Sequence, residues 1–97
     1  MDPSLFAHNT KLEWIEMSDN QLKEINDSQF SGIESLKVIV LSDNCLREIR
    51  PKLFDSLPNL IELYLERNQL VAMVDESLLF AKLKKLRKLN ISDNRDG

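Results

Sequence analysis

Leu36-Lys37-Val38-Ile39-Val40-Leu41-Ser42-Asp43-Asn44-Cys45-Leu46 returns 24 residues later as Leu60-Ile61-Glu62-Leu63-Tyr64-Leu65-Glu66-Arg67-Asn68-Gln69-Leu70. The shared pattern is Leu-x-x-hydrophobic-x-Leu-x-x-Asn-x-Leu. It occurs earlier as Leu12-x-x-Ile15-x-Met17-x-x-Asn20-x-Leu22, and again as Leu86-x-x-Leu89-x-Ile91-x-x-Asn94. The asparagines at 20, 44, 68 and 94 lie 24, 24 and 26 residues apart. A fixed period of this length marks a stack of small supersecondary units, each burying its apolar face against the next.

The segment between the motifs repeats as well. Ile25…Phe30-x-x-Ile33 matches Ile49…Phe54-x-x-Leu57, and Met73…Phe80-x-x-Leu83 matches both with two additional residues. All four phenylalanines, Phe6, Phe30, Phe54 and Phe80, fall in one column, which predicts a buried aromatic in every return segment. Asp2-Pro3-Ser4-Leu5-Phe6 aligns with Arg50-Pro51-Lys52-Leu53-Phe54, so the sequence opens inside a repeat. Asn9 stands where other repeats place Ile33, Leu57 and Leu83. The predicted organisation is one array: a partial repeat 1–11, repeats 12–35, 36–59 and 60–85, and a partial repeat 86–97.

Packing explains the pattern. In Leu-x-x-Leu-x-Leu alternate side chains of a short strand point inward. Strands of successive repeats then stack in parallel about 4.8 Å apart, and the bulkier Phe-bearing return curves the stack with the sheet inside. The motif asparagine is polar because its amide can satisfy backbone groups in adjacent turns.

This pattern resembles the leucine-rich repeat family, in the 24-residue form of extracellular proteins and receptor ectodomains such as the Toll-like receptors. The resemblance covers essentially the whole sequence. It implies an α/β solenoid: a right-handed superhelix with a short parallel sheet on the concave face and irregular or 3-10 segments on the convex face. It further implies a protein-binding module, set in innate immunity or cell-surface recognition, in a secreted or receptor protein. Relatives of this type carry cysteine-rich caps at their ends, and neither end here does. We therefore expect the sequence to be a segment of a longer protein, or a protomer covering its ends against a partner.

Composition narrows the function. The net charge is −3, opposite to the basic excess that nucleic-acid binding needs, so no nucleic-acid partner is expected. Residues 1–44 carry eight acidic and three basic side chains, and residues 45–97 eight and ten. The acidic and basic ends of such a rod suggest an alternative role, as an assembly element that self-associates end to end. The longest apolar run, Val38–Leu41, is far short of the roughly 20 residues of a membrane span, and Met1-Asp2-Pro3 lacks the start of a signal peptide. An extracellular or cell-surface setting therefore rests on the resemblance. Cys45 is the one cysteine, which excludes an internal disulfide; polar residues Gln21, Gln69 and Arg95 fill its column, so partial exposure is expected.

No enzyme signature is present. His8 is the single histidine, and the two glycines, Gly32 and Gly97, cannot build a phosphate loop. No catalytic residue, cofactor or metal is expected. The triplet Ser-Asp-Asn at 18–20, 42–44 and 92–94 suggests a calcium column through Asp19, Asp43 and Asp93, but Arg67 interrupts it. The basic run Lys82-x-Lys84-Lys85-x-Arg87-Lys88 is read as a solvated face. Two N-glycosylation sequons occur, Asn26-Asp27-Ser28 and Asn90-Ile91-Ser92.

The remaining strand positions face the concave side and are free of core duty. They hold the only Trp and the only Tyr. Trp14, Val38, Val40 and Tyr64 are expected to form a diagonal apolar strip bordered by Glu16, Glu62 and Glu66, with Lys88 at the far strand. Aromatics inside a polar rim are the composition of an interaction hot spot. Four such strands cover about 300 Å², less than the roughly 800 Å² per partner of a standard interface, so a partner must also touch loops or a flank.

Overall fold

The structure is a computed structural model and describes residues 11–70 and 80–94. Phe6, His8, Asn9, Met73 and Arg95, and with them the expectations for the array's ends, lie outside the described residues.

Four three-residue strands, β1 (Trp14–Glu16), β2 (Val38–Val40), β3 (Glu62–Tyr64) and β4 (Lys88–Asn90), form one parallel sheet in chain order. Equivalent motif positions are in register: Ile15 beside Ile39, Ile39 beside Leu63, Leu63 beside Leu89. The two-residue insertion before Phe80 leaves this register intact. The ladder also runs past the strands, because Met17, Leu41 and Leu65 donate their N–H groups to the carbonyls of Val40, Tyr64 and Asn90, each at 2.8 Å.

The core is the column set read from the repeat. Ile15, Leu36, Ile39, Leu41, Leu46, Leu60, Leu63, Leu65, Leu70 and Leu86 are buried from the motif, and Phe30, Ile33, Phe54, Leu57 and Leu83 from the returns. Phe80 is the exception. It is 43% exposed, whereas Phe30 and Phe54 are buried. The expected buried aromatic column therefore breaks at the third return, whose sequence is two residues longer, while Leu83 keeps its core seat.

The described returns are built differently. Pro51 opens a 3-10 helix, Pro51–Ser56, as its fixed φ suits a first helical position. The preceding repeat has Asp27 there and forms successive turns, closed by Gln29 N–H to the Asn26 carbonyl, Ser31 to Ser28 and Ile33 to Phe30. Gly32 completes them at φ +83°, a region open to glycine at no steric cost. Gln29, in the column of Leu53, is fully buried, a position the repeat pattern left unmarked.

Candidate protein-binding face

Each strand turns its middle residue into the core and its two outer residues to the opposite face. On β1 that alternation is complete: Ile15 is buried while Trp14 and Glu16 are exposed, Trp14 by 58%. On β2, Val38 is buried and Val40 half-buried. Val38 is buried yet lies outside the inward-facing core cluster. The expected strip of four open apolar residues is therefore narrower: Val38 contributes floor rather than contact surface.

The β3–β4 side is polar and internally bonded. The Tyr64 hydroxyl donates to Glu62 Oε1, and the Lys88 ammonium lies over the Tyr64 ring, 5.4 Å from its centroid, within cation–π range. Hydrogen bonding to Tyr64, and then the Glu62 and Glu66 carboxylates, hold Lys88 above the ordinary lysine value. Glu66 accepts from the Ser42 hydroxyl at 2.6 Å and from Asn90 Nδ2 at 3.2 Å, so it spans β2 to β4. Glu62 and Glu66, expected as an open rim, are half-buried partners in this network. Glu16 instead folds onto its own strand end, accepting from Ser18 N–H at 3.1 Å and Ser18 Oγ at 2.5 Å. The sheet face thus divides into a rigid polar half and a half carrying an exposed indole.

Beyond the strands, the Ser-Asp-Asn column has a conformational role. Asp19, Asp43, Arg67 and Asp93 all have φ of 56–57°, the left-handed region that Asp tolerates better than most residues. Arg67 does more than interrupt a line of carboxylates. Its Nε and Nη2 grip Asp43 Oδ1 and Oδ2 at 2.6 and 2.9 Å, which occupies the central Asp of the suggested calcium column. That hydrogen bond holds the Asp43 carboxyl below its ordinary value. A depressed folded value means that the contribution to stability is present above the unfolded carboxylate value, about 3.9, and is lost as pH falls through the folded one. Carbon-detected NMR titration should find Asp43 ionising below the ordinary aspartate value, and Arg67→Gln should return it toward that value. Equal titration of Asp43 in both proteins would show the pair to be absent in solution.

The basic run is also engaged with the preceding repeat. Lys82 Nζ meets Asp55 Oδ1 at 2.7 Å, and Lys85 Nζ donates to Asn59 Oδ1 at 2.8 Å. With Lys88 over Tyr64, three of its five cations have partners among the described residues, and Lys84 and Arg87 have none there. Cys45 is free and half-buried.

The asparagines join the repeats. Asn44 Oδ1 accepts from the N–H groups of Asn20 and Leu22, both at 3.0 Å, while its Nδ2 donates to the carbonyls of Met17 and Leu41, also at 3.0 Å. One repeat on, Asn68 Oδ1 accepts from Leu46 N–H and its Nδ2 donates to the Leu41 and Leu65 carbonyls, and Asn94 likewise bonds Leu70 N–H and the Leu65 carbonyl. The family model described as leucine rich repeat matches residues 10–70.

The chain belongs to the leucine-rich repeat family.

Its fold is shared with solved leucine-rich repeat proteins. The leucine-rich repeat domain of APL1B superposes with a TM-score of 0.88 at 25% identity, over 98% of this chain and 27% of that one. TLR13 in complex with ssRNA13 gives 0.84 at 32% identity, over 94% and 13%. The Toll–Spatzle complex, described as a hub in Drosophila development and innate immunity, gives 0.83 at 31%, over 96% and 14%. The chain thus spans about a quarter or less of these relatives' lengths. Among the curated protein sequences compared, none matches.

Within this leucine-rich repeat chain, seven of the eight residues read as a partner-binding set lie in two adjacent rows of the sheet, and the eighth, Glu66, bonds to Asn90 of the second row. The register puts Trp14, Val38, Glu62 and Lys88 in one row and Glu16, Val40, Tyr64 and Asn90 in the next. Sequence reasoning missed Ser42 and Asn90 as members of the Glu66 network. The available signal was Glu66 itself, standing where the other repeats have Ser18, Ser42 and Ser92.

Proposed function

We propose that the chain is a protein-recognition module of an extracellular or cell-surface leucine-rich repeat protein, and that it binds through the concave sheet face with Trp14 as anchor. The observation that carries this reading is the 58% exposure of the sole tryptophan on a sheet whose neighbouring strand positions are half-buried or bonded. Trp is the residue most enriched at binding hot spots, and here its rim is acidic Glu16 and half-buried Val40. The β3–β4 network of Glu62, Tyr64, Glu66 and Lys88 supplies a preorganised wall, which reduces the entropy lost when a partner docks.

The similar structures support recognition in general, since TLR13 is described with an RNA and Toll with Spatzle. Between those two chemistries the charge favours a protein. Glu16, Glu62 and Glu66 face one Lys88, opposite to the basic surface that phosphates require.

The test is a binding assay on a partner captured with this chain from extracellular fluid and then identified. Trp14→Ala is expected to weaken it at least 30-fold, the equivalent of about 2 kcal/mol at a hot spot, with the unfolding temperature unchanged because Trp14 packs outside the core. Equal affinity of wild type and Trp14→Ala would overturn the concave-face reading.

A further inference from the structure

We propose that Asn26 is an acceptor site for an N-linked oligosaccharide. The sequence alone presents two equivalent sequons, and the structure separates them. Both hold the same local turn: Asn26 Oδ1 accepts from Ser28 N–H at 2.9 Å and Ser28 Oγ at 2.7 Å, and Asn90 Oδ1 from Ser92 N–H at 3.0 Å and Ser92 Oγ at 2.8 Å. In each case the amide and the hydroxyl that define the sequon are presented together.

They differ at Nδ2, the atom that would carry the sugar. Asn90 sits on β4, half-buried, and its Nδ2 donates to Glu66 Oε2 within the sheet-face network. A sugar there would crowd Tyr64 and Lys88 and would stand on the proposed binding face. Asn26 is exposed in a return segment, and its Nδ2 donates to no described residue. Among the described residues, substituting it removes only the local bonds that its Oδ1 accepts from Ser28.

The surroundings suit a saccharide. Asn26 lies between two grooves, both with polar and charged residues in their walls. One is about 380 Å³, with Lys23, Glu24, Arg47, Glu48 and Arg50 in its walls. The other is about 460 Å³, with Ser28, Ser31, Lys52, Asp55 and Ser56. Carboxylates and cations at both sides, and serine hydroxyls at the second, give the first sugar hydrogen-bonding partners of both polarities.

The reaction is a group transfer from a lipid-linked pyrophosphoryl oligosaccharide. The bond from sugar C1 to the pyrophosphate oxygen breaks, a bond from C1 to Asn26 Nδ2 forms, Nδ2 gives up one proton, and the lipid pyrophosphate leaves. No atom changes oxidation state. In nature the site is used only if the extracellular reading above holds, so the two are tested apart.

The full chain, carrying a cleavable secretion leader, is expressed in insect cells, and intact mass is recorded before and after peptide-N-glycosidase in both secreted and retained material. One oligosaccharide is expected, lost in Asn26→Gln and in Ser28→Ala and kept in Asn90→Gln. Leader-cleaved wild type with an unmodified Asn26 overturns the proposal, and so does a glycan that survives Asn26→Gln. Localisation of the natural protein is scored separately. Its recovery from the cytosol alone would overturn the extracellular reading and leave the acceptor result standing.

Discussion

Asn68→Ala is expected to lower the free energy of unfolding by about 3 kcal/mol, from one stranded buried donor and the loss of three amide bonds. Asn68 is buried, and its amide serves two repeats at once. Oδ1 accepts from Leu46 N–H at 3.1 Å, and Nδ2 donates to the carbonyls of Leu41, Leu65 and Glu66 at 2.9, 3.0 and 3.4 Å. Alanine leaves the Leu46 N–H with no acceptor. The carbonyls fare better: Leu41 keeps Asn44 and Leu65 keeps Asn94 as donors, each about 3 Å away. The stranded N–H therefore dominates the cost. Asn68→Asp should be as damaging, because the carboxylate retains the acceptor, loses every donor and brings a charge into the core. Asn20→Ala is the control. Asn20 is exposed and, among the described residues, its amide makes one short-range bond, to the Ser18 carbonyl, so under about 1 kcal/mol is expected. Urea unfolding followed by circular dichroism measures all three. Equal midpoints for Asn68→Ala and Asn20→Ala would mean that the asparagine ladder does not hold the repeats together.

The second large effect separates phenylalanines that the repeat pattern treats as equivalent. Phe30→Ala is expected to cost about 4 kcal/mol, as for other fully buried aromatics, and Phe80→Ala less than about 1 kcal/mol. Phe30 has no exposed surface and packs within the central cluster, while Phe80 is 43% exposed. The same deletion removes the same atoms in both places, so the difference reports burial alone. Comparable losses at the two positions would place Phe80 in the core in solution and restore the uniform column.

These two expectations also mark how far the sequence could be read. The asparagine prediction was legible from spacing, because a polar residue fixed in an otherwise apolar motif needs backbone partners. The phenylalanine difference was not. It depends on how each side chain is seated against the neighbouring repeat, which a shared sequence column does not specify. The sheet face shows the same limit. Alternation placed Trp14, Glu16, Val38, Val40, Glu62, Tyr64, Glu66 and Lys88 together, since a strand's two faces follow from its period. It could not say which would remain open. The Ser42–Glu66–Asn90 bonds, the Lys88 ammonium over the Tyr64 ring and the grip of Arg67 on Asp43 all join residues of different repeats. Each depends on side-chain lengths and rotamers across a lateral spacing of about 4.8 Å.

By itself, then, the sequence determined the repeat period, the parallel sheet in chain order, the inward residues and the asparagine ladder. Those follow from a local pattern repeated until only one stacking satisfies every apolar face and every buried amide. The tertiary structure alone decided which outward residues bond to one another and which stay exposed. That choice is made between side chains about 24 residues apart in sequence, where no local periodicity constrains the pairing and only the stacked geometry brings them within reach.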